Sequence, residues 1–438
     1  MRIKRGFIMV KCKKSSKIIE RIKARIYDPS YKMIHRTSKK AFTRTRKMPF
    51  TKLVLFMMNN VKLTIQKELA NFMDLVSGKT SITKSAYSQS RVQLKPEAFI
   101  DLNNILVEEF YTDNTFNLWK GHRLCAIDGS TVNLPFSEDI VETFGTIENK
   151  SRLTLPSARI SSFYDVLNGI IIDSQIEHYE TSEYDLSINH FPKHLENDLV
   201  IFDRGYGAIW WFYYLHSKNI DYVVRVQKNF IREINDFWSS GEMSRVMEIT
   251  RCPHKSEEQM KKRGLDFTPF TIRFVKVILP NGEVEVLATS LLDEVTYPTS
   301  EFGELYFKRW SIEVNYDHLK NNIELENFTG LSSITIKQDF FANMLIANIQ
   351  ALIARDAQRE LEKEKKGAKW KYKVNRNLSL GFMKDRVVKI LLRDDPHYFE
   401  ELKKLFKLEP VPIRPGRKYN RRFHATKRKF HMTKKRSI

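Results

Sequence analysis

Apolar residues recur at helical spacing from Pro49 to about Thr112. Leu53, Phe56, Met57, Val61, Ile65 and Leu69 share one face. Further helices are expected over 84–93 and 96–111. At Arg123 the texture changes to short apolar runs. Leu124-Cys125-Ala126-Ile127 predicts a buried strand that ends at Asp128. Strands follow over 158–166 and 170–179, joined by Leu167-Asn168-Gly169, and Asn-Gly between apolar runs is a strong hairpin signal. A helix over 182–194 precedes the strand Leu199-Val200-Ile201-Phe202, which ends at Asp203. An aromatic helix (206–217) and a strand (222–226) come next. The stretch 228–295 reads as a β-rich insertion, with a hairpin turning at Pro280-Asn281-Gly282. Ile334 opens a long apolar helix to about Leu361, expected to pack on the sheet. Lys363–Lys373 reads as a basic linker, and two helices over 380–392 and 397–408 close the pattern.

The stretch from Ser300 to Lys320 predicts one continuous helix, with Ser300 as its N-cap. At about 100° per residue, Arg309, Glu313 and Lys320 all fall within roughly 60° of Tyr306. One narrow stripe then carries a phenol, a guanidinium, a carboxylate and an ammonium. Leu305, Ile312, Tyr316 and Leu319 form the apolar stripe beside it. Alone, such a stretch is more often a solvated, salt-bridged amphipathic helix. The two upstream aspartates change that reading. A charge at the end of a buried strand costs several kcal/mol unless it is paired or metal-bound. Two such aspartates and one helical Glu suit a carboxylate cage for two Mg²⁺ ions, with Mn²⁺ as a substitute.

The 438 residues carry 74 Lys+Arg against 52 Asp+Glu, a net charge of +22. That excess points to a polyanionic partner. No apolar run reaches the 18 residues or so of a membrane span. Three scattered cysteines, Cys12, Cys125 and Cys252, exclude a zinc module or a disulfide scaffold and suit a reducing cytoplasm. Residues 1–48 hold 17 Lys/Arg against Glu20 and Asp28, with no sustained period, and read as a loosely ordered basic arm. From Arg414 on, 11 Lys/Arg interleave with Tyr419, Phe423 and Phe430 in a basic tail suited to nucleic acid. Thr83, Lys84, Tyr87, Ser88, Gln89 and Arg91 suit a helix-turn-helix-like DNA reader, and a plain helical bundle accounts for them as well. Arg225 is a further phosphate candidate. Trp238 would stack on an unpaired base or sit in a core.

Asp128 in Ile-Asp-Gly-Ser-Thr, Asp203 in Val-Ile-Phe-Asp-Arg-Gly-Tyr, and Tyr306-x2-Arg309-x3-Glu313-x6-Lys320 together resemble the DDE transposases of the insertion-sequence-four group. The last motif resembles that group's Tyr-Arg-Glu-Lys signature, and the similarity runs over about residues 50–350. The resemblance implies an α/β chain with a ribonuclease-H-like catalytic core. Its expected layout is a basic arm (1–48), a helical DNA-binding region (49–118), the catalytic domain (119–350) and C-terminal helices with a basic tail (351–438). It also implies metal-dependent cleavage at the ends of a transposable element and strand transfer into target DNA. Asp128, Asp203 and Glu313 would be the catalytic, metal-holding residues, and Tyr306, Arg309, Lys320 and Arg225 the DNA-binding ones. Some relatives pass through a DNA hairpin. The implied partners are double-stranded DNA, both terminal inverted repeats and target, and a second copy in a synaptic complex on the bacterial nucleoid. A nuclease without strand transfer and a DNA-binding protein without chemistry are the competing readings.

Overall fold

The computed structural model describes residues 14–414 except 45, 60–61, 79–80, 114 and 149–153. The chain divides into two compact units. One comprises the stretches before Asn114, Asn133–Thr143 and from Leu319 on; the other comprises Thr115–Val132 and Phe144–His318. The tail expected from Arg414 on, the first 13 residues of the arm and Val61 lie outside the described residues. Among the described residues no helix is long and apolar enough to cross a membrane.

The second unit is built on one mixed sheet. Its strands are β1 (Arg123–Asn133), β2 (Thr146–Glu148), β3 (Thr154–Asp165), β4 (Ile170–His178), β5 (Asp198–Phe202), β6 (Asp221–Val226), β7 (Ser244–Ile249), β8 (Phe270–Ile278) and β9 (Val284–Thr289). The spatial order is β2-β3-β1-β5-β6-β9-β8-β7, with β4 paired to β3. β1, β5 and β6 run parallel, Ala126 lying opposite Ile201 and Ile201 opposite Val223. Such strands are covered on both faces, which is why their sequences read as unbroken apolar runs. β3 and β4 form the expected hairpin. Gly169 takes φ +73° in its turn, and Asp165 accepts from the Leu167 and Asn168 amides at 3.0 Å each.

Three sequence expectations are corrected here. β1 does not end at Asp128. It continues to Asn133, while its pairing with β5 stops at Ala126. Gly129-Ser130-Thr131 looks like a loop because it is polar, but it stays extended. The region 228–295 is less a separate insertion than a widening of the same sheet, since β9 pairs directly with β6. It also contains two helices, Arg232–Ser239 and His254–Lys262. The helix expected over 300–320 is broken. Thr299–Phe307 and Trp310–Asp317 are separate helices, followed by a π-helical turn, His318–Asn322. Pro298, not Ser300, occupies the N-cap of the first. Thr299–Phe307 packs through Phe302, Leu305 and Tyr306 on Leu124, Leu199, Ile201, Val223, Val275 and Leu287 of the sheet.

The first unit is helical. Lys84–Arg91 and Glu97–Tyr111 match the predicted helices, but the single face drawn from Leu53 to Leu69 is divided between two helices, Phe50–Met57 and Ile65–Ser77. The arm does not match its prediction. Residues 14–35 form two helices, and Lys14–Tyr27 buries Ile18, Ile19, Ile22 and Ile26. Lysines and arginines on its other face hid this period. Ser333–Glu364 packs on Glu97–Tyr111, Lys14–Tyr27 and Pro396–Phe406 of its own unit, in place of the sheet expected for it. The supposed linker supplies a strand, Lys371–Lys373, that pairs with Val411–Ile413. The helix expected over 380–392 is two, Arg376–Met383 and Arg386–Leu392, parted at Asp385, whose φ is +62°.

Tyr87 and Arg91 are buried, which removes them from a DNA-reading face. Arg91 donates to Gln338 Oε1 (2.7 Å), Thr329 Oγ1 (2.6 Å), the Thr335 carbonyl (2.7 Å) and Asp339 Oδ1 (2.5 Å).

Candidate active site

Asp128 sits half-buried on β1, where the strand leaves its parallel partner and polar residues begin. Its Oδ1 accepts from the Gly129 amide at 2.8 Å. Its own carbonyl accepts from the Tyr316 hydroxyl at 2.7 Å and the Ser161 hydroxyl at 3.2 Å. Burial pushes the Asp128 carboxyl up to about 7. The Gly129 amide opposes the rise, the charges of Asp203 and Glu183 add to it, and Arg309 opposes it.

Asp203 follows β5 directly and caps a 3-10 turn, Arg204–Tyr206, accepting from the Gly205 amide at 2.8 Å. The parallel pairing of β1 with β5 brings these two aspartates, 75 residues apart in sequence, to one edge of the unit.

Arg309 is the N-cap of Trp310–Asp317 and contacts Glu313 Oε1 at 2.8 Å. Its guanidinium lies 5.8 Å from the centre of the Tyr306 ring and 5.3 Å from that of Trp310. Burial works against its charge, but Tyr306, Glu313 and Asp128 more than offset this. Its Nε is buried without a hydrogen-bond partner among the described residues. Burial lifts the Tyr306 hydroxyl to about 12, with Arg309 and Arg225 opposing and Asp203 adding to the rise. Tyr306 is therefore a neutral donor at any working pH. Arg225, on β6, pairs with Glu285.

The structure thus gathers Asp128, Asp203, Tyr306 and Arg309, while Glu313 faces Arg309. Lys320 lies in the π-helical turn, in the stretch that belongs to the first unit, so the straight stripe drawn from Tyr306 to Lys320 does not exist as a single helix face. Trp238 is half-buried in the helix Arg232–Ser239.

Glu183 was not anticipated. It opens the helix Glu183–His190 and pairs with Arg159 Nη1 at 2.7 Å. A Cβ on residue 129 would meet its Oε1 at 3.0 Å, so glycine after Asp128 is what lets this carboxylate approach. Tyr184 ties the same helix to the Asp203 turn by donating to the Gly205 carbonyl at 2.9 Å. Nothing in the local sequence marks Glu183. Only the strand order, which sets the β3–β4 hairpin beside β1, brings it in.

A divalent cation suits part of this donor set. The Asp203 charge adds to the cost of ionising Asp128, and a cation relieves it. Among the described residues, however, no three His, Cys, Asp or Glu side chains stand close enough to hold one ion. Glu313, the third carboxylate expected there, is paired through Oε1 with Arg309.

The family model described as transposase DDE domain matches residues 119–349, and the chain belongs to that family. The chain is also 21% identical over 289 residues to the transposase InsG for insertion sequence element IS4 of Escherichia coli (strain K12). That match covers 64% of this chain and spans about 64% of the relative's length. The cryo-EM structure of the piggyBac transposase synaptic complex with hairpin DNA aligns with 91% of this chain and 84% of its own. Its TM-score is 0.42 at 11% identity, a likeness too low to carry any argument. The family resemblance drawn from the two aspartate motifs and the Glu313 helix is thus upheld.

Proposed function

We propose that this chain is a cut-and-paste transposase, cleaving phosphodiesters at the ends of an insertion sequence and joining them to target DNA. The observation that carries this reading is the convergence of Asp128, Asp203 and Arg309 in a chain of the DDE family. The strands β4-β3-β1-β5-β6, an antiparallel hairpin followed by three parallel strands, are read as a ribonuclease-H-like core. The two aspartates flank its central pair.

Asp128 and Asp203 would hold divalent cations, two Mg²⁺ with Mn²⁺ as a substitute, and Glu313 would join them. When bound, the ions would supply charge stabilisation at the scissile phosphate. Arg309 would turn its guanidinium from Glu313 to a backbone phosphate, which its unpartnered Nε suits. Tyr306, neutral and beside it, would donate a hydrogen bond to the same phosphate. Lys320 and Arg225 would add positive charge along the DNA. Synapsis of two element ends calls for a homodimer on double-stranded DNA. The reading implies a cytoplasmic protein acting at the nucleoid.

The test is cleavage of DNA carrying the element's ends, with Mg²⁺, by wild type and by Asp128→Ala, Asp203→Ala and Glu313→Ala. Each variant should lose about 10³-fold or more in cleavage rate while still binding the ends. Joined product separates a transposase from a plain nuclease. Binding without cutting by wild type, or equal cutting by the variants, overturns the reading.

A further inference from the structure

The Asp128 carboxylate is aimed by its backbone, and that backbone is held at one atom from two directions. The Tyr316 hydroxyl reaches the Asp128 carbonyl at 2.7 Å, and the Ser161 hydroxyl reaches it at 3.2 Å. Tyr316 stands three residues after Glu313 on the same helix, so its bond fastens the Glu313 helix to β1. Ser162 also meets the Tyr316 hydroxyl.

Ser161 is itself anchored. His190 Nε2 lies 2.9 Å from Ser161 Oγ, and His190 Nδ1 lies 2.6 Å from Asp173 Oδ2 and 3.1 Å from the Gln175 side-chain nitrogen. Ser161 and His190 are fully buried. A serine hydroxyl has one proton to give. Given to the Asp128 carbonyl, it leaves the Ser161 oxygen to accept from His190. The hydrogen bonding runs opposite to that of a hydrolytic triad, in which serine donates to histidine; this serine accepts from His190, and burial denies it any substrate. Its output is a backbone carbonyl.

We propose that Tyr316 and the Asp173–His190–Ser161 relay are positioning residues that clamp the Asp128 carbonyl, and so set the Asp128 carboxylate and the Glu313 helix in register for cleavage. The inference rests on the transposase reading for its activity arm only. The clamp closes a gap that sequence distance leaves open: it joins residue 128 to a helix 188 positions away and to a strand 33 positions away. A site that depends on two carboxylates from different elements needs such a link, because a displacement of about 1 Å in a reacting group costs about 100-fold in rate.

The test uses full-length Tyr316→Phe, Ser161→Ala and Ser161→Thr. Tyr316→Phe removes one oxygen and keeps the ring. The first readout is amide hydrogen exchange of peptides spanning residues 126–132, which needs no activity. Tyr316→Phe and Ser161→Ala should each raise local exchange about tenfold without changing exchange in β5 and β6, and Ser161→Thr should restore protection. The second readout is single-turnover cleavage with Mg²⁺. The same two variants should lose about 10–100-fold in the cleavage step with DNA affinity within about twofold of wild type, and Ser161→Thr should recover most of it. Unchanged exchange at 126–132 overturns the clamp. Raised exchange with an unchanged cleavage rate overturns its positioning role. A wild type that does not cleave sinks the transposase reading alone, and the exchange result still decides the clamp.

Discussion

Two arginines, Arg91 buried and Arg309 half-buried, each beside a tyrosine ring, look alike in sequence and differ in kind. Arg91 lies 5.7 Å from the Tyr87 ring and Arg309 lies 5.8 Å from the Tyr306 ring. Both read as contacts for DNA. Yet each of Arg91's three nitrogens donates to a partner inside its own unit, ending on Asp339. Arg309 spends one nitrogen on Glu313, a carboxylate that is 38% exposed, and leaves Nε with no partner among the described residues. A guanidinium with every donor used is a structural rivet. One whose buried Nε has no partner among the described residues keeps capacity for a further acceptor.

Substitution sharpens the comparison most at Arg91. Arg91→Met strands Asp339 in the interior and should cost about 3–5 kcal/mol of stability, read by denaturant unfolding. A loss below about 1 kcal/mol would return Arg91 to the DNA candidates. Arg309→Ala comes next. Its partner is exposed, so stability should move by less than about 1 kcal/mol, while cleavage falls about 100-fold. Equal losses of stability in both variants would erase the distinction.

A pH dependence tests the Arg309 neighbourhood from the Asp128 side. The Asp128 carboxyl is raised from its ordinary range to about 7, chiefly by burial. Between about pH 4 and 7 the folded chain therefore binds more protons than the unfolded one, and stability falls as pH rises through that window. Relative to Asp128→Asn, metal-free wild type should match at pH 4 and be less stable at pH 8 by up to about 4 kcal/mol. Mg²⁺ should close the difference at pH 8. A flat difference across the range would show the carboxyl to be solvated and ordinary.

Much of this was legible in the sequence, for physical reasons. Parallel strands covered on both faces must be apolar throughout, so β5 and β6 announce themselves, and Asp203 stands out as the first charge after β5. Hairpin turns at Asn168-Gly169 and Asn281-Gly282 need a left-handed residue and show it, with φ +73° and +84° at the glycines. The Glu313 helix was legible as an element but not as a shape. Its turn around Lys308-Arg309 is closed by Arg309 and Ser311 amides bonding three residues back, to Tyr306 and Lys308. Helices of either pitch accept the same residues over so short a stretch. Glu183 was hidden because its importance lies in a neighbour, Gly129, 54 positions earlier. The fate of Arg91 was hidden because its partners begin more than 200 positions later.

The first unit is made of chain segments from both ends of the sequence, and that imposes a waiting time during synthesis. The Lys14–Tyr27 helix leaves the ribosome well before the C-terminal helices that share its unit. Its Lys23 ammonium bonds the Arg393 carbonyl, 370 residues later. At the usual 5–20 residues per second, roughly 20–75 s pass before that partner exists. Throughout that interval Ile18, Ile19, Ile22 and Ile26 have no C-terminal helices to cover them. Glu97–Tyr111 emerges far sooner and covers part of that face, while the remainder waits for the C-terminal helices to be made.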